Sequence, residues 1–155
     1  MENILFREAK IEDLNILLNF EQYIIAAERP FDSTLKDQKI SYYDLKHMIV
    51  DENCYVVVGE IDSKIIASGY GKIEKSKPYL NHNYHCYLGF MYVDKKYRGK
   101  GINQKLIESI KKWALSKNIF ELQLDVYSRN VPAITAYTKF GFQPNLVQMR
   151  MKIDC

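Results

Sequence analysis

A chain of 155 residues is long enough for one domain with a full core and short for two. Its composition, 47% hydrophobic and 26% charged, is that of an ordinary soluble globular protein, and a net charge of +3 is too mild to argue for nucleic acid by itself. No apolar run approaches the ~20 residues of a membrane span. The start, MENILFREAK, carries Glu2 where a signal peptide would be basic. Three scattered cysteines, Cys54, Cys86 and Cys155, suit free thiols in a reducing compartment, most simply the cytoplasm.

No repeat, linker or low-complexity tract interrupts residues 1–155, so the whole chain reads as a single domain. Residues 3–8 read as a first strand. From Glu12 to about Ala27, Leu14, Leu17, Leu18, Ile24 and Ile25 keep a helical spacing, Asp13 suits the first turn and Pro30 ends the element. A loop over 31–39 leads to a second helix over Ser41–Val50, with Leu45, Met48 and Ile49 inward. CYVVVGE (54–60) and KIIASGYGKIE (64–74) predict a hairpin across the turn IDSK. After a loop containing Pro78, YHCYLGFMYV (84–93) predicts a long aromatic strand. Ile102, Leu106, Ile107, Ile110, Trp113 and Ala114 mark one face of a helix from Gly101 to Ser116. FELQLDV (120–126) alternates as a strand, residues 130–140 form a short helix, and VQMRMKI (147–153) alternates again as a final strand. This order of elements predicts an α+β (mixed α/β) fold: a mixed sheet flanked by about four helices.

The stretch VDKKYRGKGINQKL carries two glycines among basic residues, just where a helix begins. A helix start leaves backbone N–H groups without intrahelical partners, and with the helix dipole they form an anion site. Glycine lets the backbone turn sharply there without a Cβ in the way. The amides of Arg98, Gly99, Lys100, Gly101, Ile102 and Asn103 would therefore line a nest suited to a pyrophosphate. The run is not a Walker loop, which needs G-x-x-x-x-G-K-[ST]. Nor is it the dinucleotide fingerprint, because Gln104 stands where the third glycine should be. Further on, SRNVPAITAYTKFGF spaces Asn130, Ala133, Tyr137 and Gly141-Phe142 at three, four and four. Asn130 suits a helix N-cap and Pro132 the first turn, which sets Ala133 and Tyr137 one turn apart on one face.

Together these two motifs resemble the GNAT superfamily of acetyl-CoA-dependent N-acetyltransferases. That family's phosphate loop, [Q/R]-x-x-G-x-[G/A], is matched by Arg98 and Gly101, with Asn103 in place of the small residue. Its second motif, N-x-x-A-x-x-x-Y-x-x-x-G-F, is matched from Asn130 to Phe142. The resemblance implies a splay between strand 84–93 and strand 120–126 that admits the pantetheine arm of acetyl-CoA. It implies that backbone groups of Met91 and Val93 hold the pantetheine and polarise the acetyl carbonyl, that Asn130 contacts the cofactor arm, and that Tyr137 protonates the departing thiolate. Acetyl transfer would then go directly to a primary amine in a ternary complex, with a small molecule or a protein amino group as acceptor, no metal, no nucleic acid, no membrane, and a monomer or homodimer. Many members carry an acidic base near the end of the central strand, where this chain has Gly89 and Phe90. Glu28, Asp32, His85 and Tyr87 are the substitutes. The alternative reading is an acyl-CoA-binding sensor without catalysis on the same fold.

The remaining signals are weaker. His82, His85 and Cys86 offer three of the four ligands a closed zinc site wants, and in a strand His85 and Cys86 face opposite sides. The 12 tyrosines read as core residues and walls of an acceptor pocket.

Overall fold

A computed structural model describes residues 3–154. The chain divides into two compact units, one ending at Asp125 and the other beginning at Val126.

The first unit is built on a five-stranded sheet in the order β1-β2-β3-β4-β5, where β1 is Leu5–Glu8, β2 Cys54–Ile61, β3 Lys64–Lys75, β4 Tyr84–Val93 and β5 Leu122–Gln123. The first four strands pair antiparallel in sequence, and β5 joins β4 in parallel, which gives the mixed sheet expected. Asp62 and Ser63, both with positive φ, make the tight β2–β3 turn, whose twist matches that of the strands it joins. Arg7 on β1 ties this end of the sheet to the next element through Asp13 (2.8 Å) and to β2 through Glu60 (2.7 Å).

Helices α1 (Leu14–Glu28) and α2 (Leu45–Val50) cover one face of the sheet, where Leu17, Phe20, Leu45 and Met48 pack on Val56, Val58, Tyr70 and Phe90. Helix α3 (Ile102–Ser116) covers the other face. Its Trp113 stacks on Tyr55 and its Ser109 shares a hydrogen bond with the Tyr55 hydroxyl. The small residues of β3 let α3 approach closely: a Cβ on Gly71 would meet Ile110 at 2.6 Å and the Cys86 sulfur at 2.8 Å.

Three predicted elements are corrected. The second helix begins at Leu45, four residues later than the sequence suggests. The N–H groups of Tyr42 and Tyr43 donate to the buried carboxylate of Glu21 at 3.0 and 2.8 Å, so residues 41–43 serve α1 and not a helix of their own. Asp44 then caps α2 at His47. The strand expected over 120–126 pairs only at Leu122 and Gln123, opposite Cys86 and Tyr87. The strand expected over 147–153 is not formed. Alternation supplies an apolar face but no ladder, and a strand needs a second strand to take its N–H and C=O groups. Val147, Met149, Met151 and Ile153 are all exposed.

The second unit contains helix α4 (Val131–Phe140). The Asn130 side chain accepts the Ala133 N–H, Pro132 occupies the first turn, and Gly141 (φ +128°) turns the chain back so that the Phe142 N–H meets the Tyr137 carbonyl at 3.0 Å. The Phe142 ring then packs edge-on to Tyr137. The spacing from Asn130 to Phe142 is therefore that of a helix with both ends capped. Among the described residues no helix is long and apolar enough to cross a membrane.

Candidate active site

The middle of β4 departs from regular strand geometry. Opposite β3 the register runs Tyr70–Gly89 and then Ser68–Tyr92, so β4 carries an extra residue and bulges. Phe90 lies at the bulge with φ +59°, in the left-handed region that a bulky residue rarely enters. Its surroundings hold it there. The buried ring packs against Tyr43, whose hydroxyl also bonds the Phe90 backbone, and the Ser68 hydroxyl donates to the Phe90 carbonyl at 3.1 Å. On the opposite edge β4 pairs with β5 only as far as Tyr87. From Leu88 onward the two strands no longer pair, which is the splay the sequence implied.

Gly89 occupies the place where a strand carboxylate was expected, and the structure gives the reason. A Cβ on Gly89 would stand 2.6 Å from both Cζ and the hydroxyl of Tyr70. The end of the Tyr70 ring fills the space a side chain would need. Burial pushes the Tyr70 phenol up to about 12, so it stays protonated at neutral pH.

The four substitutes separate clearly. Glu28 ends α1 half-buried, and burial raises its carboxyl above the ordinary range while a hydrogen bond from Tyr42 works against that rise. Its charge is felt by Tyr43, the residue packed on Phe90. Asp32 accepts the N–H and the hydroxyl of Thr34 in a local turn. The Arg29 guanidinium donates to the carbonyls of Lys36 and Gln38. Tyr87 donates to Asp125 at 3.0 Å, and burial together with that carboxylate holds its phenol protonated, so it has no free base form near neutrality. His85 lies at the other end of β4. Its Nδ1 is 3.0 Å from the Ser76 hydroxyl, which also meets His82, and its Nε2 is 3.5 Å from Glu74. This knot closes the β3–β4 connection. His85 and Cys86 are both buried, although they point to opposite faces of the strand. Among the described residues no three His, Cys, Asp or Glu side chains converge as a metal site.

Beyond β4 the chain turns through the glycine-containing segment into α3. Asp94 caps a 3-10 turn over Lys95–Tyr97 through the Lys96 N–H. Arg98 then folds back, its Nε donating to the Val93 carbonyl at 2.8 Å and its guanidinium lying over Tyr92. Gly99 (φ +78°) and Gly101 (φ +74°) adopt the left-handed backbone, and no side chain caps the start of α3. The Ile102 and Asn103 amides therefore head a helix whose first N–H groups have no intrahelical partner, an arrangement of the kind that suits an anion such as a pyrophosphate. The Lys100 ammonium rests over the Tyr97 ring, at the edge of this turn.

Sequence reasoning missed Ser68 and Tyr43 altogether. The nearest signal was ASGYG (67–71), whose small residues mark close approach. A Cβ on Gly69 would meet the Met91 sulfur at 2.8 Å, which places the small β3 residues directly against the bulge.

Comparison with known proteins agrees with this geometry. The Acetyltransferase (GNAT) family model matches residues 19–142. A streptothricin acetyltransferase of Escherichia coli is 32% identical over 137 residues, covering 81% of this chain and 73% of that protein. A Bacillus halodurans protein superposes with a TM-score of 0.86 at 19% identity, covering 96% of this chain and 99% of the other. A predicted acetyltransferase solved with acetyl-CoA, from Clostridium acetobutylicum, superposes with a TM-score of 0.73 at 18% identity over 97% of this chain and 96% of its own.

Proposed function

The chain belongs to the GNAT family of acetyl-CoA-dependent N-acetyltransferases, and from that premise we propose that its acceptor is a cationic primary amine, with Glu28 as the base, the Met91 amide as oxyanion donor and Tyr137 as the general acid. The observation that carries this reading is Glu28. It is a half-buried carboxylate raised by burial towards working pH, electrostatically linked to the Tyr43–Phe90 wall of the bulge.

Acetyl-CoA supplies the activated acetyl thioester. The first amides of α3 and the backbone of Arg98–Gly101 hold its pyrophosphate. Backbone groups of Met91 and Val93, with Asn130 and Ala133, receive the pantetheine arm. Glu28 attracts the acceptor's ammonium and takes one proton from it, which frees the nitrogen lone pair. Met91 donates its N–H to the carbonyl oxygen as that atom gains negative charge on attack. As the new C–N bond forms and the C–S bond breaks, Tyr137 gives its phenolic proton to the sulfur, and the second proton shed by the nitrogen returns through solvent to the Tyr137 phenolate. The streptothricin relative supports an amine acceptor, and the exposed carboxylate of Asp125 beside Tyr87 would suit a second positive charge on it. The whole chain, residues 1–155, would serve this one activity. The buried free thiols Cys54 and Cys86, pushed by burial up to about 11 and about 12 and so kept unreactive, support a reducing compartment such as the cytoplasm. Cys155 lies outside the described residues.

The test is thiol release from acetyl-CoA against pooled polyamines, amino acids, aminoglycosides and streptothricin. Tyr137→Phe is expected to lower turnover roughly 10- to 1000-fold while acetyl-CoA still binds. Glu28 loses its proton at a higher pH than an ordinary glutamate, so kcat/KM should climb with pH through that raised value, and Glu28→Gln should flatten the climb. Binding of acetyl-CoA with no release from any pool would move the protein to the sensor reading.

A further inference from the structure

We infer that Ser68 is a positioning residue for the reaction: its hydroxyl fixes the orientation of the Phe90–Met91 peptide and so aims the Met91 amide at the developing oxyanion. The inference rests on the acetyltransferase reading of Met91.

The argument begins with the bulge. In a regular antiparallel ladder the carbonyls of β4 would be taken by N–H groups of β3. The extra residue between Gly89 and Tyr92 breaks that correspondence. The Phe90 carbonyl is answered instead by the Ser68 hydroxyl, at 3.1 Å. Ser68 has no exposed surface, so water does not compete for the hydroxyl, and a buried carbonyl left without a donor would be costly.

A peptide group is planar and trans, so its carbonyl and its N–H point in opposite directions. Among the described residues no peptide bond is cis. Holding the Phe90 carbonyl towards Ser68 therefore turns the Met91 N–H away from Ser68. Two further features hold the backbone around this peptide. The Tyr43 hydroxyl bonds the Phe90 backbone at the preceding peptide, and the Met91 thioether lies against Gly69, where a Cβ would stand only 2.8 Å from the sulfur. Phe90 is held at φ +59°, a conformation that other rotations of the neighbouring peptides would relax. The Ser68 hydroxyl thus opposes such a rotation from the β3 side.

No other group on β3 supplies this function. Ser68 is flanked by Ala67 and Gly69, which have no polar side chain. A serine with no exposure on a strand otherwise lined by Ile65, Ile66 and Ala67 carries a desolvation cost that its single bond to Phe90 offsets.

The experiment measures thiol release at saturating acetyl-CoA for the wild type, Ser68→Ala and Ser68→Thr, with acetyl-CoA affinity by calorimetry and thermal unfolding alongside. Ser68→Ala should lower kcat about 10- to 100-fold, somewhat less than outright removal of an oxyanion donor, with affinity within about threefold and the protein folded. Ser68→Thr, which keeps the hydroxyl, should recover most of the loss. A Ser68→Ala enzyme with wild-type kcat overturns the inference and leaves the acetyltransferase reading standing. So does a loss of kcat matched by equal losses of affinity and stability, because that is a packing defect only. A wild type that binds acetyl-CoA but turns over no amine overturns the acetyltransferase reading itself. In that case the amide signal of Met91, observed with 15N-labelled methionine, decides about Ser68. A response to acetyl-CoA in the wild type that is missing in Ser68→Ala supports the orienting role, and the same response in both proteins overturns it.

Discussion

The β4 bulge and the loop that follows it place backbone in the same left-handed region for opposite reasons. In the loop, Gly99 and Gly101 have positive φ and nothing lies within 4 Å of where a Cβ would stand. The conformation there is chosen locally, by residues for which it costs little, and the open space suits the anion site proposed above. In the bulge, Phe90 has the same sign of φ but is surrounded by Tyr43, Ser68 and the end of Tyr70 beside Gly89. A conformation that is costly for phenylalanine is imposed there from outside, by side chains far apart in sequence. The loop therefore depends on residue type, and the bulge depends on neighbours.

The sharpest way to break this contrast is to add one methyl group to each region. Gly89→Ala requires no unusual φ, so its whole effect is crowding: the new Cβ meets Tyr70 at 2.6 Å and Tyr70 is itself buried against Tyr43. The expected outcome is a loss of about 1–3 kcal/mol in stability and a fall in turnover of about 100-fold as the bulge shifts. Combining Gly89→Ala with Tyr70→Leu, which removes the clashing atoms, should destabilise less than the sum of the two single changes. Additive losses in thermal unfolding would show that Tyr70 is not what Gly89 accommodates.

Gly101→Ala adds the same methyl in open space, but on a left-handed backbone. The strain is about 1–2 kcal/mol; the exposed loop can relax out of the left-handed form in the free protein, so the cost should appear as a roughly 10-fold weaker affinity for acetyl-CoA, with thermal unfolding of the free protein little changed. If Gly101→Ala instead lowered turnover and left affinity intact, the loop would not be the phosphate nest and the two regions would not divide the work as described.

The same contrast explains what was legible in the sequence. The turn before α3 could be read because two glycines before an amphipathic helix state a local conformation, and Asn130-x-Pro132 with Gly141-Phe142 state both ends of α4 in the same way. The bounds of β4 could be read from its composition. Features decided by distant partners could not. The helix expected from Ser41 loses its first residues to Glu21, twenty positions earlier. The strand expected over 120–126 shrinks to two residues because β4 and β5 separate. The alternation over 147–153 finds no ladder. Phe90's backbone and the hydroxyl that answers it carry no local signature, because each is set by the packing of β3 on β4. Glu28 could be named from sequence as one carboxylate among several, but what distinguishes it is its half-buried place beside Tyr42, which only the fold supplies.

The smallest expected effect concerns Asn103, the one departure from the family's phosphate loop. Asparagine tolerates unusual backbone better than most residues, but that tolerance is not called on here. The structure gives it a simpler place. Asn103 is the second residue of α3, and it is not among the residues with positive φ, which in this loop are Gly99 and Gly101. Its amide belongs to the first turn of the helix, where the N–H points forward whatever the side chain is. Asn103→Gly therefore removes no strain and no nest donor. Acetyl-CoA affinity measured by calorimetry should stay within about twofold or improve, at a helix-propensity cost of a few tenths of a kcal/mol at most in a first turn. A large loss of affinity would mean that the Asn103 side chain itself holds the phosphates, and that the nest relies on residue type at a third position besides its two glycines.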